Sequence, residues 1–306
     1  MTKFAYFEGA IVPFEDAHVS ISCNTLHYGT GCFGGLRAYW NEDHQELYLF
    51  RPHDHFRRLL NSAKFLLCDL SYTIEELTNI TVQLLRKEAW TQNVYIRPIV
   101  YKDDGVFRVQ LHDSNDKLAI FSQPVGSYIK SDGALSVGLS SWRRVDDNVI
   151  PARGKVNGTY VNSALAKSEA VLNGFQEALV LNQDGHVSEA SAANLFIVRD
   201  GVVITPPITD NVLEGITRRV VIHFAREDFG LEVVERSIDR SELYLADEAF
   251  FCGTGVGVAA IGSVDHRRVG DGSEYPIASR MQALYMNVVT GNEPRYMDWL
   301  VPIHRE

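Results

Sequence analysis

Lys155 stands in Pro151-Ala152-Arg153-Gly154-Lys155-Val156-Asn157-Gly158-Thr159-Tyr160, among small and turn-forming residues just ahead of a helical stretch. A lysine off any regular charged face can form a Schiff base with a carbonyl, provided a partly buried cationic or apolar setting lowers its proton affinity. The stretch taken alone reads first as a solvated loop lysine. Val187-Ser188-Glu189-Ala190-Ser191-Ala192-Ala193-Asn194-Leu195-Phe196 sets one carboxylate among small residues before an apolar strand. Such a carboxylate can hold the positive charge of a protonated ring nitrogen, or it can end a strand with its oxygens on nearby amides. Leu213-Glu214-Gly215-Ile216-Thr217-Arg218 opens a helix whose first N–H groups and dipole suit a phosphate. An ordinary threonine cap has the same pattern. Phe251-Cys252-Gly253-Thr254-Gly255-Val256-Gly257 could expose amides to an anion, or be a tight turn between strands. It does not match G-x-G-x-x-G and has no βαβ unit around it, so a dinucleotide loop is not indicated.

These residues need a frame. Ala5–Phe14 reads as a hairpin turning near Glu8-Gly9, and Glu46–Phe50 as a short strand. A helix from about Asp54 keeps Phe56, Leu59, Leu60, Ala63, Leu66 and Leu67 at helical spacing. Another starts at Thr73, which forms a capping-box pattern with Glu76 and continues through Ile80, Leu84 and Leu85. Val94–Tyr101, Leu118–Gln123 and Leu135–Ser140 are strand-like. The helix Tyr160–Leu172 puts Val161, Ala164, Leu165, Ser168 and Leu172 on one face, with Gly174 in a C-terminal position. Strands follow at Ala178–Leu181, Asn194–Val198 and Val202–Thr205, separated by Asp184-Gly185 and Asp200-Gly201 turns. A further helix runs from Thr217 through Val220, Val221, Phe224 and Ala225 to Gly230. Two α+β domains of unequal size follow: 1–122, a Gly/Pro/Ser-rich linker at 123–133, and a larger domain at 134–306.

A formal charge of −10 and the lack of a basic patch argue against nucleic acid. No apolar run approaches the ~20 residues that span a bilayer, and the start of the chain carries no signal-peptide pattern. Cys23, Cys32, Cys68 and Cys252 include no C-x-x-C pair, and His53 and His55 lack the i, i+4 spacing of a helical metal pair, so no metal site is expected. Free thiols and absent targeting signals point to a cytoplasmic protein.

Each feature is weak alone, but their order is specific. Leu26-His27-Tyr28-Gly29-Thr30, Gly35-Leu36-Arg37, Asn61-Ser62-Ala63-Lys64, Tyr95-Ile96-Arg97-Pro98 and Ser140-Ser141-Trp142 precede Lys155. Ser188-Glu189, Asn194-Leu195-Phe196, Gly215-Ile216-Thr217-Arg218, Ala246-Asp247-Glu248 and Gly253-Thr254 follow it. In this series the chain resembles, over nearly its whole length, the fold-type IV pyridoxal 5'-phosphate (PLP) enzymes, and among them the branched-chain amino acid aminotransferases.

The resemblance implies a two-domain α+β fold of the D-amino acid aminotransferase type, with PLP as a Schiff base on Lys155. It makes Lys155 the group that moves a proton between the substrate Cα and C4′ of the cofactor. It pairs Glu189 with the pyridine nitrogen, gives the phosphate to Arg58, the Ile216 and Thr217 amides and Thr254, and puts Tyr160 near the phenolic oxygen. On the substrate side it makes Arg97 the partner of a γ-carboxylate. Tyr95 and the Thr254-Gly255 amides are candidates for the α-carboxylate, and Tyr28, Phe33, Tyr128 and Tyr160 for the walls of an apolar pocket. The implied reaction is ping-pong transfer of the amino group of L-leucine, L-isoleucine or L-valine to 2-oxoglutarate, in a homo-oligomer of at least two subunits. An (R)-amine or D-amino acid aminotransferase of the same fold is the alternative, followed by aminodeoxychorismate lyase. The chain departs from the family pattern at Gly34, where glutamate is usual, at Val125, where an aromatic is expected, and in the loop Lys102–Gln110, which lacks Gly-x-Gly-Val and adds Arg108.

Overall fold

The computed structural model describes residues 1–126 and 133–305. The chain divides into two compact units. The first comprises Met1–Gly126, Gly154–Gly158 and Met286–Glu306, and the second Ser127–Arg153 and Thr159–Tyr285. Part of the expected 123–133 linker, and Tyr128 within it, lies outside the described residues.

The first unit is built on an antiparallel sheet. Its strands are β1 (Phe4–Phe7), β2 (Ala10–Pro13), β3 (Cys32–Phe33), β4 (Leu36–Asn41), β5 (Glu46–Phe50), β6 (Val94–Lys102) and β7 (Asp116–Pro124). Leu300–Pro302 pairs beside β5, and the order continues β4, β6, β7, β1, β2, with β3 also on β6. The β1–β2 turn is Glu8-Gly9, both at positive φ (49° and 89°), the backbone that a two-residue hairpin prefers.

Helix α1 (Asn24–Tyr28) precedes β3, while α2 (Pro52–Phe65) and α3 (Ile74–Glu88) pack together and against the sheet. Helix α2 starts two residues ahead of the expected Asp54, because Pro52 takes its first position, where a missing N–H costs nothing. Of its predicted apolar face, Phe56, Leu59, Ala63 and Leu66 are buried, but Leu67 lies past the helix end at φ 51° and is exposed. Helix α3 has the predicted capping box: Glu76 N–H donates to Thr73 Oγ1 at 3.1 Å, and Thr73 N–H to Glu76 Oε2 at 2.7 Å.

In the second unit a mixed sheet runs β10 (Val187–Ala190), β9 (Glu177–Leu181), β8 (Leu135–Arg143), β15 (Gly257–Val264), β14 (Glu248–Gly253), β11 (Asn194–Arg199), β12 (Val202–Thr205), β13 (Val233–Glu235). A two-residue strand, β16 (Arg267–Arg268), pairs with β15. Its helices are α4 (Tyr160–Leu172) and α5 (Ile216–His223), and α6 (Pro276–Val289) returns the chain to the first unit. Leu179, Leu195, Ile197, Phe251 and Ile261 centre the core. The Asp200-Gly201 turn, at φ 49° and 78°, joins β11 to β12 as expected.

Helix α4 has its predicted span but not its predicted face. Ser163, Ala166 and Ala170 are the buried residues, while Val161, Leu165 and Leu172 are exposed at 65%, 40% and 86%. Small side chains let the helix backbone approach β8 and β9 closely, where Ala166 and Ala170 pack with Ala178 and Val180. The helix expected from Thr217 to Gly230 is α-helical only to His223 and widens into a π turn over Phe224–Asp228.

Candidate active site

In the first unit, Lys155 is not a loose loop residue. Its carbonyl accepts the Phe33 N–H at 3.0 Å, and its own N–H donates to Ser62 Oγ at 3.0 Å. Val156 bridges Cys32, and Asn157 N–H donates to Gly31 O at 2.8 Å. Residues 154–158 therefore lie as a short ribbon along β3. Ser62 is fully buried on α2 and also donates to Arg58 O at 2.8 Å, so one hydroxyl fixes the lysine backbone to the helix that carries Arg58.

Alternation along β6 separates its faces: Val94, Ile96 and Pro98 are buried, while Tyr95, Arg97 and Ile99 are half-buried on the other side. Phe33 pairs with Ile99 on β6. Its ring centroid is 4.3 Å from the Arg97 guanidinium carbon and 5.1 Å from Lys155 Nζ. Arg97 Nη2 lies 3.4 Å from Tyr95 Oη. Gly35 makes room for that hydroxyl, since a Cβ there would stand 2.0 Å from it. The first unit thus gathers Lys155, Phe33, Tyr95 and Arg97, an amine and a guanidinium around one aromatic face. Tyr28, at the end of α1, is exposed at 38%. Arg108 does not extend from its loop as a free cation but is tied to Asp104 Oδ2 at 3.0 Å.

In the second unit, Glu189 lies within β10, a strand that the sequence patterning missed, and is almost fully buried. Its Oε1 is 2.7 Å from Arg144 Nη2. Its Oε2 accepts Asn194 Nδ2 and the Leu213 N–H, each at 3.0 Å. The amides of the strand-end alternative are present on Oε2, and the Arg144 guanidinium on Oε1 is an added partner. Arg144 follows β8, whose end is stapled to α4: Ser140 Oγ and Ser141 N–H donate to Glu169 Oε2 at 2.5 and 2.9 Å. The Ser140 hydroxyl, and then that of Ser141, hold the Glu169 carboxyl below the usual carboxylate range.

Helix α5 is preceded by Gly215, which has no side chain to cap it, so the first amides of the helix have no side-chain acceptor from that residue. Ile216 and Thr217 at this end are buried. A Cβ on Gly215 would stand 2.1 Å from Asn194 Oδ1, so only glycine lets the helix start beside the Glu189 cluster. Asn194 pairs across to Cys252, and the connection from β14 to β15 is Thr254-Gly255-Val256. Burial drives the Cys252 thiol far above its usual range, and the Arg218 charge only partly offsets this. Glu189, Thr217 and Thr254 are thus carried on neighbouring elements of one sheet and its helix. Tyr160, the first residue of α4, is half-buried. Among the described residues no three His, Cys, Asp or Glu side chains form a metal-binding group.

Residues 31–264 match the amino-transferase class IV family. The chain belongs to this family. A probable branched-chain-amino-acid aminotransferase of Aquifex aeolicus is 46% identical over 98% of this chain and 97% of its own. The branched-chain amino acid aminotransferase of Thermobaculum terrenum in its PLP form superposes with a TM-score of 0.95 at 39% identity, covering 99% of each chain. The T.th. branched-chain amino acid aminotransferase, complexed with N-(5'-phosphopyridoxyl)-L-glutamate, superposes at 0.92 with 37% identity and 98% coverage of both. These likenesses bear out the expected fold-type IV architecture.

A class IV aminotransferase is a PLP-dependent transaminase, and the donor set of the second unit fits that cofactor. Glu189 is a buried carboxylate with an acceptor position to spare, suited to a protonated pyridine nitrogen. The uncapped amides of α5 and the Thr254 turn suit a phosphate. Sequence reasoning missed Arg144 and the positioning role of Ser62. The signals for Ser62 were its place in the Asn61-Ser62-Ala63-Lys64 motif and its polarity inside an apolar helix face.

Proposed function

We propose that this PLP-dependent aminotransferase moves the amino group of branched-chain L-amino acids (leucine, isoleucine, valine) to 2-oxoglutarate in a ping-pong cycle. The observation that carries the reading is the pairing of Phe33 with Arg97 on one sheet face, the ring 4.3 Å from the guanidinium carbon. A site serving both half-reactions must accept an apolar side chain in one and a γ-carboxylate in the other. An aromatic surface with a guanidinium on it offers both. The names of the relatives support the same substrate class, and the phosphopyridoxyl-L-glutamate on the T.th. enzyme supports glutamate as the second partner.

Bound PLP supplies an electron sink for the pair left when the Cα–H bond breaks. Lys155 Nζ would hold the cofactor covalently and, once released from it, would serve as the base and acid that moves the Cα proton. Glu189 Oε1 accepts the ring N–H and keeps that nitrogen protonated. Arg58, the Ile216 and Thr217 amides and Thr254 would hold the phosphate, and Tyr160 would lie near the phenolic oxygen. Tyr95 and the Thr254-Gly255 amides orient the α-carboxylate, while Phe33, Tyr28, Tyr160 and Tyr128 wall the side-chain pocket. A cytoplasmic homo-oligomer of at least two subunits goes with this reading, and sedimentation equilibrium tests the assembly.

The test is the visible absorption spectrum of the holoenzyme. With L-leucine the band of bound PLP should give way to pyridoxamine-type absorption, and 2-oxoglutarate should restore it. A band that ignores L-leucine but answers to (R)-1-phenylethylamine or a D-amino acid would move the function to those amines. Lys155→Ala should fold and bind PLP without a covalent link, and should lose turnover; retained activity would refute the assignment.

A further inference from the structure

We infer that Arg144 is a positioning residue for the reaction: it aims one oxygen of Glu189 at the cofactor ring and locks that carboxylate to the loop that delivers the phosphate-binding helix end. This rests on the reading of Glu189 proposed above. A carboxylate offers about four acceptor positions, two on each oxygen. Oε2 uses both of its own, on Asn194 Nδ2 and the Leu213 N–H, each at 3.0 Å. Oε1 uses one, on Arg144 Nη2 at 2.7 Å. One acceptor position remains, and it is on Oε1. Arg144 therefore decides which oxygen faces the ring nitrogen and in which direction its free lone pair points.

The same guanidinium has a second contact. Its Nε donates to Asn211 O at 3.2 Å. Asn211 sits in left-handed backbone at φ 61°, two residues before Leu213 and four before Gly215. Arg144 itself is held at both backbone groups. Its N–H donates to Leu181 O at 2.8 Å, and its carbonyl accepts Gln183 Nε2 at 3.1 Å. With Arg144 and Glu189 exposed at only 7% and 5%, water does not replace either contact. A planar fork reaches carboxylate and carbonyl through two different nitrogens whose relative positions are fixed, which the single nitrogen of an ammonium does not provide. The ring-nitrogen partner and the turn into α5 are thereby set by one side chain, so the two ends of the cofactor are read from a common reference.

The test is a double-mutant cycle with two readouts: equilibrium dialysis of PLP against the apoprotein, and the single-turnover absorbance change of the holoenzyme with L-leucine. Arg144→Met should lower both by about 10- to 100-fold, the usual effect of removing the outer partner of a functional ligand. In the Glu189→Gln background the same substitution should lower them by less than about threefold, because its effect passes through that carboxylate. Arg144→Lys should recover part of the single-mutant loss, since it retains the charge beside Glu189 but not the Asn211 contact. A purely structural arginine would cost the same factor in both backgrounds, and that result overturns the inference while leaving Glu189 in place. If Glu189→Gln alone changes neither readout, the assignment of Glu189 fails and the inference fails with it. Should Arg144→Met not accumulate as folded protein, the Arg144→Lys cycle carries the same comparison.

Discussion

Replacing Gly215 by alanine isolates one steric relation in the active site. The backbone there is ordinary (φ −67°, ψ 133°), so an added methyl meets no conformational penalty. It meets Asn194 Oδ1 at 2.1 Å and Arg218 Cβ at 3.2 Å. The carboxamide must swing away, and it cannot do so without releasing Glu189 Oε2 and Leu213 O, both held at 3.0 Å by its Nδ2. Overpacking of a tight site costs about 1–3 kcal/mol, and a lost hydrogen bond to a charged group about 1.5–3 kcal/mol. The apoprotein should therefore lose about 3 kcal/mol of stability in urea denaturation, and its PLP affinity should fall in parallel. In an Asn194→Ala background the amide is already gone, so Gly215→Ala should cost only about 1 kcal/mol, the scale of changing a helix cap. An equal cost in both backgrounds, or unchanged stability and PLP affinity, would refute the steric argument.

Other contacts carry three more expectations. Burial would raise the Glu46 carboxyl, but the N–H groups of His304, Arg305, Leu47 and Ile303 outweigh it and hold it below the usual carboxylate range. Because the folded value is depressed, this contribution is complete above the unfolded Glu value of about 4.3 and drains away as pH falls through the folded value. Glu46→Gln should be less stable than the wild type at neutral pH, with the gap closing on acidification; a gap independent of pH in urea titrations would contradict this. Lys102 Nζ is buried against Asp116 Oδ1 at 2.7 Å and Leu111 O at 2.8 Å. Lys102→Met strands the carboxylate and should cost about 3–5 kcal/mol, and a loss under about 1 kcal/mol would mean that the pair is not isolated from water. Arg97→Ala should lower kcat/KM for 2-oxoglutarate by about 100-fold, the scale of a lost charge pair, and for L-leucine by less than about tenfold; equal losses would remove Arg97 as a carboxylate reader.

The parts of the fold legible in the sequence were those with local chemistry. Glu8-Gly9 and Asp200-Gly201 announce their hairpins through positive φ, and Thr73 with Glu76 announces a helix start through reciprocal hydrogen bonds. Lys155 and Glu189 stood out only through their place in an ordered series of motifs. Helix α4 misled because helical spacing identifies an apolar stripe without saying which stripe is covered. There, Ala166 and Ala170 gain more from close approach to the sheet than Val161 and Leu165 would. Arg144 was hidden for a different reason. It follows Arg143 directly, and which of two adjacent arginines turns inward depends on a carboxylate 45 positions away. The ribbon at Gly154–Gly158 depends likewise on Gly29–Phe33, a partner no local pattern names.

That ribbon has a consequence for how the protein is made. The first unit begins at Met1, yet it includes Gly154–Gly158 and Met286–Glu306. Its sheet gains the strand beside β5 only when Leu300–Pro302 emerges, and Glu46 meets the Ile303, His304 and Arg305 amides later still. On the ribosome, therefore, the sheet of the first unit waits until residues 300–305 have emerged. Residues 159–285 are synthesised while it is still open along one edge and its innermost glutamate lacks most of its donors. A chain lacking residues 300–305 would leave β5 unpaired on that side and the buried Glu46 carboxylate with the Leu47 N–H alone among these four donors.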